Sequence, residues 1–240
     1  MATTAFNTFG LSHATAVLAT AALAVWLIRL NRSRQASPRL KQRVNNTMAV
    51  ALIVSVAMDP LLTWMRHRSN PEEALLLLRR DALPIHLCDI VSMVLAAALL
   101  FRHQRSAELG YLWGMAGTLQ GLITPTLQYD WHAPEYYAFF IQHGGVPASA
   151  LALAFGCGLH PQKGALWRAM KWSWVYMAGA SLLNFLLSTN YGYFNARPDV
   201  PSLLDAMGPW PWYLLTLQAV GLLFFFILLL PWRKHFHAGT

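Results

Sequence analysis

A short stretch of the chain places a histidine, a cysteine and a carboxylate within one helical turn, a spacing that permits nucleophilic chemistry. His86 and Asp89 are three residues apart, so on a helix they share a face, where the carboxylate would orient the imidazole. Cys88 lies in the same turn, and a nearby histidine would convert its thiol into a thiolate nucleophile. The alternative for Cys88 is the usual one for a free cysteine, a small buried apolar residue.

Asp59 and His143 are two further ionisable residues, and both interrupt apolar stretches of the chain. Burying such a side chain in a membrane is costly, so by default it marks a functional site. Single amide and hydroxyl side chains indicate less, because they often only bond one helix to another. The residues that we expect to bind substrate around the ionisable groups are Asp59, Gln120, Thr124, Gln142, Asn184 and Asn190.

The composition of the chain indicates which elements must position these side chains. Of its 240 residues, 56% are apolar and 12% are charged, and the charged share is about half that of a soluble domain. The apolar residues come in blocks of about 20 or more, the length that an α-helix needs to cross ~30 Å of hydrocarbon. We therefore expect a polytopic membrane protein and exclude a secreted chain, a disordered chain and a soluble Rossmann or barrel enzyme.

We predict an all-α fold, a bundle of seven transmembrane helices that forms a single transmembrane domain over 1–240. The spans are predicted at 11–30, 46–65, 83–102, 109–128, 135–158, 166–190 and 210–231. Thirteen of the 18 Lys and Arg residues fall on one side of these spans and five on the other. By the positive-inside rule the thirteen are cytoplasmic, so we expect the N-terminus outside, the C-terminus in the cytoplasm and the protein in the cell (inner) membrane.

The alternation of seven spans brings the scarce ionisable residues to one level, the outer half of the bilayer. Asp59 falls near the outer end of the second span, and His86 and Asp89 fall at the start of the third. His143 lies roughly 12 Å into the fifth span, at 1.5 Å per helical residue. Four ionisable groups at one depth are hard to explain as packing, so we expect them to share a polar cavity.

Glycines mark two of the predicted spans. Gly144, Gly145 and Pro147 follow His143 closely and are expected to weaken the helix at that point. Gly117 and Gly121 belong to a small-residue face of the fourth span, which favours close packing against neighbouring helices.

The basic residues do not indicate a nucleic-acid partner, although the net charge is +8. They gather around one short loop, within 29–43, between two apolar blocks, which is a topology signal and a contact for anionic lipid. CxxC and HExxH spacings do not occur, so the local sequence predicts no metal site, and we expect no cofactor. Cys88 and Cys157 are expected near opposite membrane faces and are not expected to pair.

Four stretches of the chain resemble a known family. They are LPIHLCDI at 83–90, WGMAGTLQGLITP at 113–125, FFIQHG at 139–144 and SLLDAMGPWPWYLL at 202–215. In this order they resemble the bacterial YwaF-type integral membrane family, which is more distantly similar to an animal transmembrane family of cysteine-dependent phospholipid acyltransferases. The resemblance implies a cysteine and a histidine deep in the bundle, and on this chain the histidine is His143. Cys88 is the candidate cysteine, but if the family's nucleophile lies at the Pro-x-His step, Ile85 occupies its position here.

Three functions remain open from the sequence. The leading hypothesis is acyl transfer or ester hydrolysis on a membrane lipid, with Cys88 as nucleophile and His143 as base and then acid. In this hypothesis His86 and Asp89 orient or polarise the reacting groups. The second hypothesis is a metal-dependent intramembrane hydrolase that uses the same histidines and aspartates as zinc ligands. The third is a transporter or a binding protein for a small polar solute or a proton.

Overall fold

Helices dominate the part of the chain that the structure describes, residues 5–198 and 202–237 of a computed structural model. In chain order they are α1 (Leu11–Arg32), α2 (Pro38–His67), α3 (Pro71–Ala82), α4 (Leu87–Phe101), α5 (104–123), α6 (Pro134–Gly156), α7 (Ala165–Leu187) and α8 (Trp212–Phe236). An isolated β-bridge joins Ala5 to Tyr129. The predicted all-α fold is confirmed for the described residues.

Proline and short polar side chains determine where several helices begin. Pro38 follows Ser37, whose hydroxyl accepts a hydrogen bond from the backbone N–H of Leu40 at 3.2 Å. Pro71 follows Asn70, whose side-chain oxygen accepts one from the N–H of Glu73. A proline in the first turn loses no helical hydrogen bond, and the capping oxygen satisfies a free N–H group.

Helix α4 begins later than the predicted span 83–102, at Leu87. His86 has extended backbone (φ −61°, ψ 154°), and its N–H donates a hydrogen bond to the carboxylate of Asp89 at 3.1 Å. The Asp89 carboxylate therefore satisfies the free backbone N–H of His86, the residue that precedes the helix. An acidic residue in the first turn stabilises a helix N-terminus in this way. This places Cys88 and Asp89 in the first turn of α4.

Helix α6 is the centre of the bundle, and α1, α2, α4 and α5 pack against it. Of its apolar stretch, 67% is buried, against 17–22% for α1, α2 and α8. The expectation that Gly144 and Gly145 weaken this helix was wrong, since α6 continues through them. A Cβ atom at Gly144 would collide with Thr20 of α1, and one at Gly145 would press on Leu52 of α2. These glycines serve close helix packing.

Four helices are long and apolar enough to cross a membrane, α1, α2, α6 and α8, with mean hydropathy between 1.3 and 2.4. A fifth span is formed if α3 and α4, which meet at a bend of 69°, are counted together. The other two predicted spans are helical but more polar. Helix α5 is interrupted by a π-helical turn and carries Glu108, and α7 carries Arg168 and Lys171. The structure thus supports a membrane protein with four or five candidate spans among the described residues. The predicted number of seven spans and the predicted orientation stay predictions.

Candidate functional site

A cavity of about 590 Å³ opens among α2, α4, α5, α6, α7 and α8, and we call it the central cavity. Eight of the ten residues predicted for the site line it. They are Asp59, His86, Cys88, Asp89, Gln120, Thr124, Gln142 and His143. The fold thus gathers residues from four helices and two cap positions around one space, while their chemical roles remain predictions.

A hydrogen bond between α4 and α6 fixes the polar end of this cavity. The side-chain N–H of Gln142 donates to Oδ1 of Asp89 at 2.8 Å, and both residues are only 8% exposed. The other carboxylate oxygen of Asp89 accepts the N–H of His86. Both oxygens of a buried carboxylate are therefore satisfied, as burial of a charged group requires. Because Cys88 precedes Asp89 and His143 follows Gln142, this bond ties together the two backbone segments that carry those residues, and both residues line the cavity.

The imidazole of His143 is held in one orientation. Its Nδ1 lies 3.0 Å from the carbonyl oxygen of Phe139, and its ring stacks on the Phe139 ring at 4.0 Å between centroids. A carbonyl can only accept, so Nδ1 carries the hydrogen and Nε2 keeps its lone pair. Between His143 and Cys88 themselves there is no hydrogen bond, and a general base can also act through one bridging water.

Helix α5 packs closely against α4 and α6 through two of its glycines. A Cβ atom on Gly121 would strike the imidazole of His143, and one on Gly117 would strike Leu87, which precedes Cys88. Gly117 and Gly121 are one helical turn apart, about 6 Å along the axis. The small-residue face predicted for this helix is confirmed, and it brings the first turn of α4 and the His143 ring to neighbouring positions.

The structure does not bring Asn184 and Asn190 to the cavity lining, contrary to the predicted substrate-binding set. Asn184 is 1% exposed and bonds to the backbone of Tyr191 and to the hydroxyl of Thr189. Asn190 bonds to the backbone of Asn195 and Ala196. Both amides hold the loop after α7 in shape, because that loop has no regular ladder for its backbone groups. We leave them out of the site.

The cavity is also lined by two tyrosines that the sequence did not single out. They are Tyr176 of α7 and Tyr193 of the following loop. Both lie near Cys88. The hydroxyl of Tyr176 donates to the carbonyl oxygen of Ile85 at 3.0 Å, and the His86 ring lies 5.7 Å from that of Tyr193. Nothing in their local sequence indicates this position, since it depends on how α7 and its loop return to α4.

The end of the bundle beyond the central cavity is closed by apolar packing. Leu95 of α4, Leu112 of α5 and Leu153 of α6 are at most 1% exposed and belong to one core cluster. None of these three leucines is among the described lining residues of the central cavity. Among the described residues, no three His, Cys, Asp or Glu side chains converge on a point that would hold a metal ion, so the zinc-ligand hypothesis has no support from this part of the chain.

An all-helical bundle with several spans of membrane length around a polar cavity defines a multi-pass membrane protein. The chain belongs to the TMEM164 family, whose model matches residues 8–229. No curated protein and no solved structure gives a significant match. The family is an animal transmembrane family, which agrees with the more distant of the two resemblances found in the sequence; the match gives no support for the bacterial one.

Proposed function

We propose that the protein is a cysteine-dependent lipid acyltransferase or lipid esterase whose reaction takes place in the central cavity. The observation that carries the proposal is the 2.8 Å hydrogen bond between Gln142 and Asp89, which joins the two helices that bring Cys88 and His143 to one cavity. Membership of the TMEM164 family supports the membrane setting. The family relation to cysteine-dependent acyltransferases comes from the sequence resemblance.

The cavity has a polar end and an apolar end, which suits an acyl ester. Asp89, Gln142 and His143 form part of the polar end, and the apolar lining is contributed largely by α7 and α8. Its members there are Met170, Met177, Leu217, Val220, Gly221, Phe224 and Phe225. A fatty-acyl chain would lie along this lining, because burying methylene groups is favourable, while its ester carbonyl reaches the polar end.

The chemistry is a two-step acyl transfer through a thioester. Nε2 of His143 takes the thiol proton of Cys88, through one water, and the sulfur attacks the ester carbonyl. The second amide hydrogen of Gln142 donates to the oxyanion in this proposal. The carbon–oxygen bond then breaks, His143 returns the proton to the leaving alcohol, and an incoming alcohol or water releases the acyl group from sulfur by the reverse steps. Tyr176 and Tyr193 complete the wall around the sulfur.

Cys88 lies in the first turn of α4, where free backbone N–H groups stabilise a thiolate. The negative charge of the neighbouring Asp89 opposes that effect. The thiol therefore needs a base to take its proton, which is the role proposed for His143. The remaining parts of the proposal are a single transmembrane domain, seven spans with the N-terminus outside, and residence in the cell (inner) membrane with outer-leaflet lipid as substrate.

The direct test is acyl transfer by purified protein in vesicles that contain a phospholipid donor and a lysophospholipid acceptor. Cys88→Ala is expected to abolish transfer, and Cys88→Ser to leave a trace, because a hydroxyl is a far weaker nucleophile than a thiolate. The product is measured by lipid mass spectrometry. Cys157→Ala is the matched control, since Cys157 follows α6 at the other end of the bundle, and it should keep full activity. Full activity in both Cys88 variants would exclude a thioester mechanism.

A further inference from the structure

A second, smaller pocket lies at the end of the bundle remote from the central cavity, and we call it the basal pocket. It encloses about 280 Å³ between the α1–α2 connection, the end of α4 and the end of α6. Its lining includes Lys41, Arg102, Asn45 and Cys157. Cys88 and Arg102 stand at opposite ends of α4, so the two cavities are roughly 20 Å apart at 1.5 Å per residue.

The charge in the basal pocket is unbalanced. Lys41 and Arg102 line it, and no carboxylate is among the described residues of its lining. Neither cation has a salt bridge to a described carboxylate, whereas Glu108, the acid nearest in sequence to Arg102, is occupied by Arg168 at 2.7 Å. Two unneutralised cations in one recess favour an anionic ligand.

The rest of the lining is preformed for such a ligand. Arg102 ends α4 in a left-handed conformation (φ 52°), and one guanidinium nitrogen donates to the carbonyl oxygen of Cys157 at 3.2 Å. This bond uses one of five N–H donors and leaves the others for a ligand. Asn45, only 3% exposed, is fixed by paired hydrogen bonds with Asn31 at 3.1 and 3.3 Å. Asn45 is therefore held in place by Asn31, and the basic side chains of the lining supply hydrogen-bond donors for a ligand.

We propose that the basal pocket binds a phosphate group, held by Lys41 and Arg102. A guanidinium fork and an ammonium group are the pair that proteins use for phosphate oxygens, and the volume suits a small headgroup. The phosphate would come either from an anionic phospholipid of the adjacent leaflet or from a soluble phosphate compound. The proposal does not depend on the reaction assigned to the central cavity.

Cys157 provides a built-in probe of this pocket, because it lines the pocket beside Lys41, Arg102 and Asn45. The chain has two cysteines, so in the Cys88→Ser variant Cys157 is the only thiol. A bound phosphate would cover this thiol and neutralise the cations that favour its reactive thiolate. Binding is therefore expected to slow its reaction with N-ethylmaleimide, which intact-protein mass spectrometry follows.

The experiment compares labelling rates of the full-length protein with two probes. The first is inorganic phosphate against chloride at equal ionic strength, in detergent. The second is vesicles of phosphatidylcholine with and without phosphatidylglycerol. Slowing by inorganic phosphate identifies a site open to soluble phosphate, and slowing by phosphatidylglycerol alone identifies a lipid headgroup site. An unchanged rate with both probes would overturn the proposal.

Matched variants separate a built site from a general effect of positive charge. Lys41→Gln with Arg102→Gln should raise the phosphate or anionic lipid needed for half-maximal slowing by roughly tenfold or more, as expected for two lost cation–anion contacts. Arg39→Gln with Arg43→Gln removes two positive charges from the first turns of α2, at residues outside the lining, and should leave the response unchanged. Arg102→Lys keeps the positive charge and should retain most of the slowing by phosphate or anionic lipid. An equal loss in both double variants would contradict a specific site.

Discussion

At the scale of single residues, the polar end of the central cavity depends on one buried carboxylate, each of whose oxygens accepts a hydrogen bond. Asp89 receives one hydrogen bond from the backbone of His86 and one from the side chain of Gln142. Removing a partner from a buried charged group costs the desolvation of that group, which is more than the bond itself contributes. Asp89 is thus better described as a positioning residue than as a catalytic one.

Gln142→Leu is therefore expected to destabilise the protein by about 1–3 kcal/mol, the cost of leaving one oxygen of Asp89 unpaired. Thermal unfolding of the purified protein in detergent measures this as a lower midpoint. The control is Gln120→Leu, since Gln120 lines the same cavity but its side chain makes no hydrogen bond to another described side chain. Equal losses for the two variants would show that the bond between Gln142 and Asp89 has no special role.

At the scale of elements, the apolar half of the cavity is formed where α8 meets α7. A Cβ atom at Gly221 of α8 would meet no atom within 4 Å, although Gly221 lines the cavity. There is therefore room for a Cβ atom at this position, and we expect a larger side chain to extend into the cavity. This free space is what an acyl chain would occupy.

If the proposed acyl transfer takes place in this cavity, Gly221→Leu is expected to shift the preference of the protein towards shorter acyl chains, with little change in thermal stability. The measurement is the ratio of transfer rates for short-chain and long-chain donors. Gly179→Leu is the control, because a Cβ there also meets nothing within 4 Å but Gly179 is not among the lining residues. An unchanged ratio in Gly221→Leu would indicate that the acyl chain does not lie between α7 and α8.

The same elements show which parts of the site the sequence could predict. Asp59, His86, Asp89 and His143 interrupt apolar stretches, so helix counting predicts a common depth for them, and the structure shows that they line one cavity. Asn184 and Asn190 are also polar side chains in a predicted span, yet they bond to the loop after α7. The path of an irregular loop depends on distant contacts, which no periodicity records. For that reason the sequence also missed Tyr176 and Tyr193.

At the scale of the whole molecule, charge is distributed unevenly between the two ends of the bundle. The basic residues around the α1–α2 connection lie at the end of α2 opposite to Asp59 and the central cavity. The positive-inside rule then assigns the basic end to the cytoplasm and the central cavity to the outer half of the membrane. The account of substrate access depends on that orientation.

Exposed residues at the two ends of α2 give a test of orientation in intact cells. Gln35 precedes α2 and Ser69 follows it, and both are exposed. With Cys88 and Cys157 replaced by serine, Ser69→Cys should react with a membrane-impermeant maleimide added outside, and Gln35→Cys should react only after permeabilisation. The reverse pattern would place the central cavity at the cytoplasmic side and contradict the proposed use of outer-leaflet lipid.

The central claim, that Cys88 carries the acyl group during the reaction, is tested most directly by trapping the intermediate. Purified protein is mixed with a phospholipid donor in the absence of acceptor, quenched in acid and analysed by peptide mass spectrometry. We expect the mass of one fatty-acyl group on the peptide that contains Cys88, removed by hydroxylamine as a thioester is, and no such mass on the Cys157 peptide. Acyl transfer that proceeds while the Cys88 peptide stays unmodified, in the wild-type protein and in a slowed His143→Gln variant alike, would contradict the account.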